Sequence, residues 1–334
     1  IDGNLTNNGV VKDNMDADAV LNDDDLCILT TGDIINNGLW SCKYVKLTGS
    51  NTQFVSQATG RYFDSFFYDL NASGNTQALS DITISKDFNL NTASLEMDGN
   101  VLTLGGWLKD GIIMNARLRN GFLSNVTSKG DLFILGVVTI GNNNVFSGSV
   151  TVTDTIQSME YGGGSTTFTL KIDGNLVNHG LIRNINTGDK LSLEISGNID
   201  NQGIWQNSFT KFIGLLDQTI QQAAGTRFQS DFTDTDTSGV VSALSDIRID
   251  GSFNLQRSAI QMNHHEINIS GALYNGNIFS AAVKNATLSD ITAFGNTEIR
   301  GIVVIDDGNV FNGNLLVTDT LQSQMYGGGS HLYK

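Results

Sequence analysis

Residues 152–165 read VTDTIQSMEYGGGS, and residues 317–330 read VTDTLQSQMYGGGS, the same phrase 165 positions on. The offset is general. ALSDITISKDFNL from Ala78 returns as ALSDIRIDGSFNL from Ala243, and NNNVFSGS from Asn142 returns as DGNVFNGN from Asp307. LTTGDIINNGLW, ending at Trp40, returns as EISGNIDNQGIW, ending at Trp205. The opening IDGNLTNNGV at Ile1 returns as IDGNLVNHGL at Ile172, 171 positions on. The first copy therefore carries about six extra residues, placed in the acidic stretch KDNMDADAVLNDDD. Two copies follow, 1–171 and 172–334. The phase in which they start and stop reads as a window on a longer tandem array.

A shorter period sits inside each copy. G-[ND]-[IL]-x-N-x-G-[ILV] begins at Gly3, Gly32, Gly174 and Gly197, and more weakly at Gly271; further glycine-led starts fall at Gly251, Gly295 and Gly313. Spacings of about 18 to 28 residues predict roughly seven coils per copy. Between the glycines lie alternating runs such as LSLEIS, ITIS, INIS and VTVTD, which are strands by period and residue type. KFIGLLDQTIQQAAG leaves room for one turn of helix. The chain of 334 residues contains no proline, against a usual share of roughly 5%. Proline cannot donate to a ladder, so nearly every backbone donor is engaged. The 37 glycines and the many asparagines suit corners. The prediction is an all-β parallel β-solenoid, a right-handed β-helix, whose coils stack at ~4.8 Å and bury one continuous lining. Corner asparagines are expected to stack as ladders. The net charge of −15 disfavours nucleic acid and anionic lipid, and no apolar run reaches the ~20 residues of a membrane span.

The motif GNIxNxGxW, followed by G-x-x-x-Q-x-[IFV] (GSNTQFV at Gly49, GLLDQTI at Gly214), resembles the repeats of very large surface proteins of Bacteroidota exported by the type IX secretion route. These are gliding adhesins and long surface filaments. The resemblance covers both copies. It implies an extracellular, cell-surface location and a role in adhesion or as an extended stalk, and it supplies no catalytic residue.

Six constellations are chemically suggestive. D-x-[DN]-x-S-G occurs at 69–74 and again at 234–239, each followed by a Ser-Asp pair. Asp69, Asn71, Ser73 and Asp81, with Asp234, Asp236, Ser238 and Asp246, thus offer hard oxygens at the alternate spacing a calcium ion takes. An Asx turn at a corner wants the same residues. Asp13, Asp16, Asp18, Asp23, Asp24 and Asp25 form an acidic stretch, read as a solvated insertion. His264-His265-Glu266 hints at a transition metal, but adjacent strand residues point to opposite faces. Cys27 and Cys42, each placed near a coil corner, allow a disulfide in an oxidising compartment; their second-copy counterparts are Ser192 and Asn207. Arg117 and Arg119 are the closest arginine pair for a carbohydrate-cleaving groove, with Ala282 and Lys284 in their places in the second copy. Trp40 and Trp205 hold one coil position and read as packing anchors, with Phe63, Phe67, Phe228 and Phe232 as core.

The sequence therefore points to a non-enzymatic structural segment of a surface adhesin or filament, without a cofactor unless calcium binds. Its expected partners are further copies in a homo-oligomer or tandem array, and surface glycans or cells. The alternatives are a carbohydrate-binding or polysaccharide-cleaving β-helix and a phage tail-fibre shaft.

Overall fold

The computed structural model describes residues 1–13, 25–71, 74–235 and 238–325. Among these, the regular elements are all strands, and no helix is present. The segment that left room for a helical turn holds two strands, Phe209–Phe212 and Gln218–Gln222. The chain forms two compact units, Ile1–Met159 with Phe168–Leu170, and Glu160–Thr167 with Lys171 onward. The divide falls just ahead of the repeat boundary, because compactness follows packing and not repeat phase.

Each unit is a parallel β-solenoid. A strand pairs not with its chain neighbour but with the equivalent strand one turn on. In the first unit Leu5 pairs with Ile34, Ile34 with Val55, Val55 with Ala78, Thr76 with Leu95, Leu95 with Ile113, Ile113 with Ser128 and Ser128 with Phe146. Those seven steps span 29, 21, 23, 19, 18, 15 and 18 residues. In the second unit the pairs are Leu176–Ile199, Ile199–Ile220, Ile220–Ala243, Val241–Ile260, Ile260–Ile278, Ile278–Ala293 and Ala293–Phe311. Their steps are 23, 21, 23, 19, 18, 15 and 18 residues. Only the first step differs, by the six residues of the acidic insertion. Glycine-led counting expected coils no shorter than about 18, and the 15-residue step is the exception.

Backbone conformation explains that step. Asp110, Asn115, Asn120 and Asn125 take φ of 61°, 48°, 62° and 54°, and Asn275, Ser280, Asn285 and Asp290 take 60°, 49°, 52° and 52°. A left-handed residue every fifth position turns the chain through three corners in fifteen residues. Short polar side chains tolerate that region best. Elsewhere His264 is a costly case with a direct comparison: it sits at φ 67° where the first copy has Gly99 at φ 79°, and its side chain is exposed. His264→Gly is expected to stabilise the fold by about 0.5–1 kcal/mol, the left-handed penalty less the entropy of glycine. A rise in urea midpoint is the check.

The interior is built from alternation. Val45, Phe67, Phe88, Leu108, Leu123 and Ile140 point inward in register on successive turns, and all are buried. In the first unit Trp40, Phe63, Phe67 and Phe88 form an edge-to-face column with centroids 5.1, 5.0 and 5.5 Å apart. Trp205, Phe228, Phe232 and Phe253 repeat it at 5.2, 5.1 and 5.6 Å. Both tryptophans are thus packing anchors, and the four recurring phenylalanines are core.

Buried asparagines stack as the motif suggested. Asn7 Nδ2 donates to Asn36 Oδ1 at 2.9 Å, and Asn178 Nδ2 donates to Asn201 Oδ1 at 2.9 Å. Each amide oxygen also accepts the N–H of the glycine two residues later, Gly9, Gly38, Gly180 or Gly203. Gly38 and Gly203 are required by close approach: a Cβ there would lie 2.1 Å from the Gly9 carbonyl oxygen and 2.2 Å from that of Gly180. The glutamine of the second motif is equally structural. Gln53 accepts from Gly49 N at 2.8 Å and donates to the carbonyls of Thr30 and Gly32.

Candidate functional site

At the calcium-like segments, the described carboxylates each meet donors of the protein itself. Asp69 is fully buried. Its Oδ1 accepts from Asn71 N at 3.0 Å and its Oδ2 from the Thr76 hydroxyl at 2.6 Å. Asn71 itself donates to the Asn51 carbonyl and accepts from Gly74 N. Asp234 is likewise buried and accepts from the Ser258 hydroxyl at 2.6 Å. Asp81 and Asp246 are exposed, and each accepts a backbone N–H one turn on, from Val101 and Glu266 at 2.8 Å. Ser238 reaches the Leu215 carbonyl at 3.4 Å. Ser73 and Asp236 lie outside the described residues. Among the described residues, no three His, Cys, Asp or Glu side chains converge as a metal site.

Burial pushes the Asp69 carboxyl above the ordinary carboxylate range, against the opposing hydrogen bonds from Thr76 and Asn71. A raised folded-state pKa favours the protonated form. The stability it gives is complete below the unfolded value and is lost as pH rises through the folded value. Asp69→Asn is therefore expected to match the parent protein in acid and to exceed its melting temperature at pH 7, with EGTA shifting neither. A calcium-dependent loss of stability in Asp69→Asn would contradict this reading.

The other candidates separate. Asp13 is buried, with Oδ1 accepting from Leu26 N at 3.1 Å; Asp25 pairs with Lys43; Asp16, Asp18, Asp23 and Asp24 lie outside the described residues. His264 is exposed, His265 lies 3.6 Å from Asp246, and Glu266 pairs with Lys284 at 3.3 Å and Arg300 at 3.6 Å. Cys27 opens the strand Cys27–Thr30, whereas Cys42 lies inside Leu39–Leu47 and not at a strand end. Both thiols are free. Cys27 precedes the inward Ile28 and is partly exposed, while Cys42 is itself buried. Cys42 meets the Ser65 hydroxyl at 3.2 Å, and burial raises its pKa. Asn207 fills the equivalent slot and donates to Phe209 O. Arg117 lies over Phe133, 6.0 Å from the ring centre. Arg119 shares a shallow groove of about 440 Å³ with Arg61, Tyr62 and Asp81. Asp64 is held below the ordinary carboxylate range chiefly by the Ser85 hydroxyl, with Lys86 assisting.

On the sheet whose inward column is Val45, Phe67, Phe88, Leu108 and Leu123, the outward positions of the first unit carry Tyr44, Phe66, Tyr68, Trp107 and Phe122, none fully buried. Tyr44 pairs in register with Phe66, and Lys46 with Tyr68. Trp107 pairs with Phe122 and Lys109 with Ser124. The rings gather in two clusters. Tyr44 lies 5.9 Å from Phe66 and 6.0 Å from Tyr68, and Trp107 lies 5.3 Å from Phe122. Between them runs the rung of Asp87 and Asn89. The second-copy counterparts are Phe209, Asp231, Thr233, Ala272 and Thr287. The signal was present as non-recurrence: SFFYD against SDFTD, and GWLKD against GALYN.

No family model, no curated protein and no solved structure matches this chain.

Proposed function

We propose that the chain is a structural repeat segment of an extracellular, surface-attached adhesin or filament, of the kind its coil motif resembles in Bacteroidota. The observation that carries this reading is the shared schedule of turn lengths in two copies whose conserved motif residues, Asn36, Asn201, Gln53 and Gln218, are all spent on internal hydrogen bonds. Conservation between copies is directed at stacking, and stacking distributes load over many similar interfaces. A tandem arrangement is supported by the repeat itself, in which VTDTIQSMEYGGGS returns as VTDTLQSQMYGGGS 165 positions on. The test is surface digestion of intact source cells. Protease added outside is expected to release fragments of this chain before any cytoplasmic marker is cut. Release only after lysis contradicts a surface location.

A further inference from the structure

We infer that the outward aromatic face of the first unit, built on Tyr44, Phe66, Tyr68, Trp107 and Phe122, is a binding platform for a neutral polysaccharide chain. The inference stands independently of the stalk reading. Two physical features select this occupant. The first is spacing. From Phe66 to Trp107 is two rungs, or ~9.6 Å along the stacking direction, close to the length of a disaccharide unit in an extended β-linked chain. Two aromatic clusters at that separation meet alternate sugars, each presenting its apolar C–H face to a ring. Rigid rings on a laddered sheet are ordered before binding, so little entropy is lost when a ligand is stacked.

The second is charge and polarity. Two of the three lysines on the face are neutralised in place, Lys43 by Asp25 and Lys109 by Asp87 at 3.2 Å. Lys109 also lies 6.0 Å from the Trp107 ring centre. That balance offers no cationic track for nucleic acid or an acidic polymer. It leaves Asp87, Asn89 and Ser124 among the rings as donors and acceptors suited to sugar hydroxyls. Cross-strand ring pairs also stabilise a sheet, but stability alone does not explain why the first copy concentrates five rings here and the second copy has one, Phe209, at the same five positions.

Trp107 reports on its own face, because Trp40 and Trp205 are buried at 3% and 1% exposure. The experiment titrates the whole chain with cellohexaose, xylohexaose, mannohexaose and chitohexaose, following tryptophan emission and binding heat. At least one of the four is expected to bind saturably with a shift in emission. Trp107→Leu and Tyr68→Ala, each shown folded by an intact β-sheet dichroism spectrum, are expected to weaken that binding at least tenfold. Phe209→Ala, in the second unit, is expected to leave it unchanged. Silence from all four sugars overturns the proposal, as does binding that survives both first-unit substitutions. Concentration-dependent dimerisation that Trp107→Leu abolishes would assign the face to a second copy of the chain, and also overturns it.

Discussion

Phe232→Ala is expected to lower the unfolding free energy of the second unit by about 3–5 kcal/mol. Phe232 is 1% exposed and sits among Phe228, Phe212 and Phe253, with ring centres 5.1, 5.9 and 5.6 Å away. Truncation removes its burial and all three ring contacts, each such contact worth roughly 0.5–1.5 kcal/mol beyond area. The resulting cavity has little means of collapse. Its walls are strands fixed to the turns on either side: Phe232 pairs with Thr210 before it and with Phe253 after it. Urea unfolding followed through Trp205, which packs edge-on against Phe228, reads the loss. Phe67→Ala in the first unit is expected to cost less, since Phe67 has two ring neighbours, Phe63 and Phe88, and Leu47 stands where the second copy has Phe212.

Asn201→Ala is the second large effect, and it acts through polarity. Asn201 is fully buried. Its Oδ1 accepts from Asn178 Nδ2 at 2.9 Å and from Gly203 N at 3.3 Å. Alanine leaves both donors without this acceptor inside the coil, at about 1–3 kcal/mol for each group stranded. Asn178 keeps one bond, to the Ile204 carbonyl at 3.1 Å, so the total is expected near the middle of that range. A double-mutant cycle with Asn178→Ala is expected to show positive coupling, because the second truncation removes a donor already orphaned by the first. Additive losses would mean that the amides act separately and not as a ladder.

The solenoid was legible because two signals agreed. The 165-residue repeat fixed the architecture, and the alternating runs between glycines fixed the element type. Coil length was less legible. A corner announces itself when it is glycine, but Asn115 and Asn125 turn the chain without one beside them, and Arg257 at φ 77° gives no hint in its residue type. The loop at Asp69 was ambiguous for a physical reason. A calcium loop and an Asx turn both need carboxylate and amide oxygens before a glycine, so residue types and spacing alone do not separate them. The thiols could not be placed because strand alternation around Cys42 is interrupted by a register shift between Ser41 and Tyr44. The aromatic face was hidden by the recurring Phe63, Phe67, Phe228 and Phe232, which explained the aromatics of this stretch as core before the rings outside the pattern were weighed.

Cross-linking by register tests the stacked-coil arrangement most directly. Arg248 pairs with Asn268, and Asn268 with Lys284, on three successive turns of the second unit. Neighbouring turns lie ~4.8 Å apart, within reach of a disulfide, whereas two turns exceed the ~7 Å limit between Cα atoms. With Cys27→Ser and Cys42→Asn removing the native thiols, cysteines at 248 and 268 are expected to oxidise to a disulfide, and so are cysteines at 268 and 284. Cysteines at 248 and 284 are expected to remain reduced under the same conditions. Efficient bonding of 248 to 284, or none at 248 to 268, would contradict parallel coils stacked in this register.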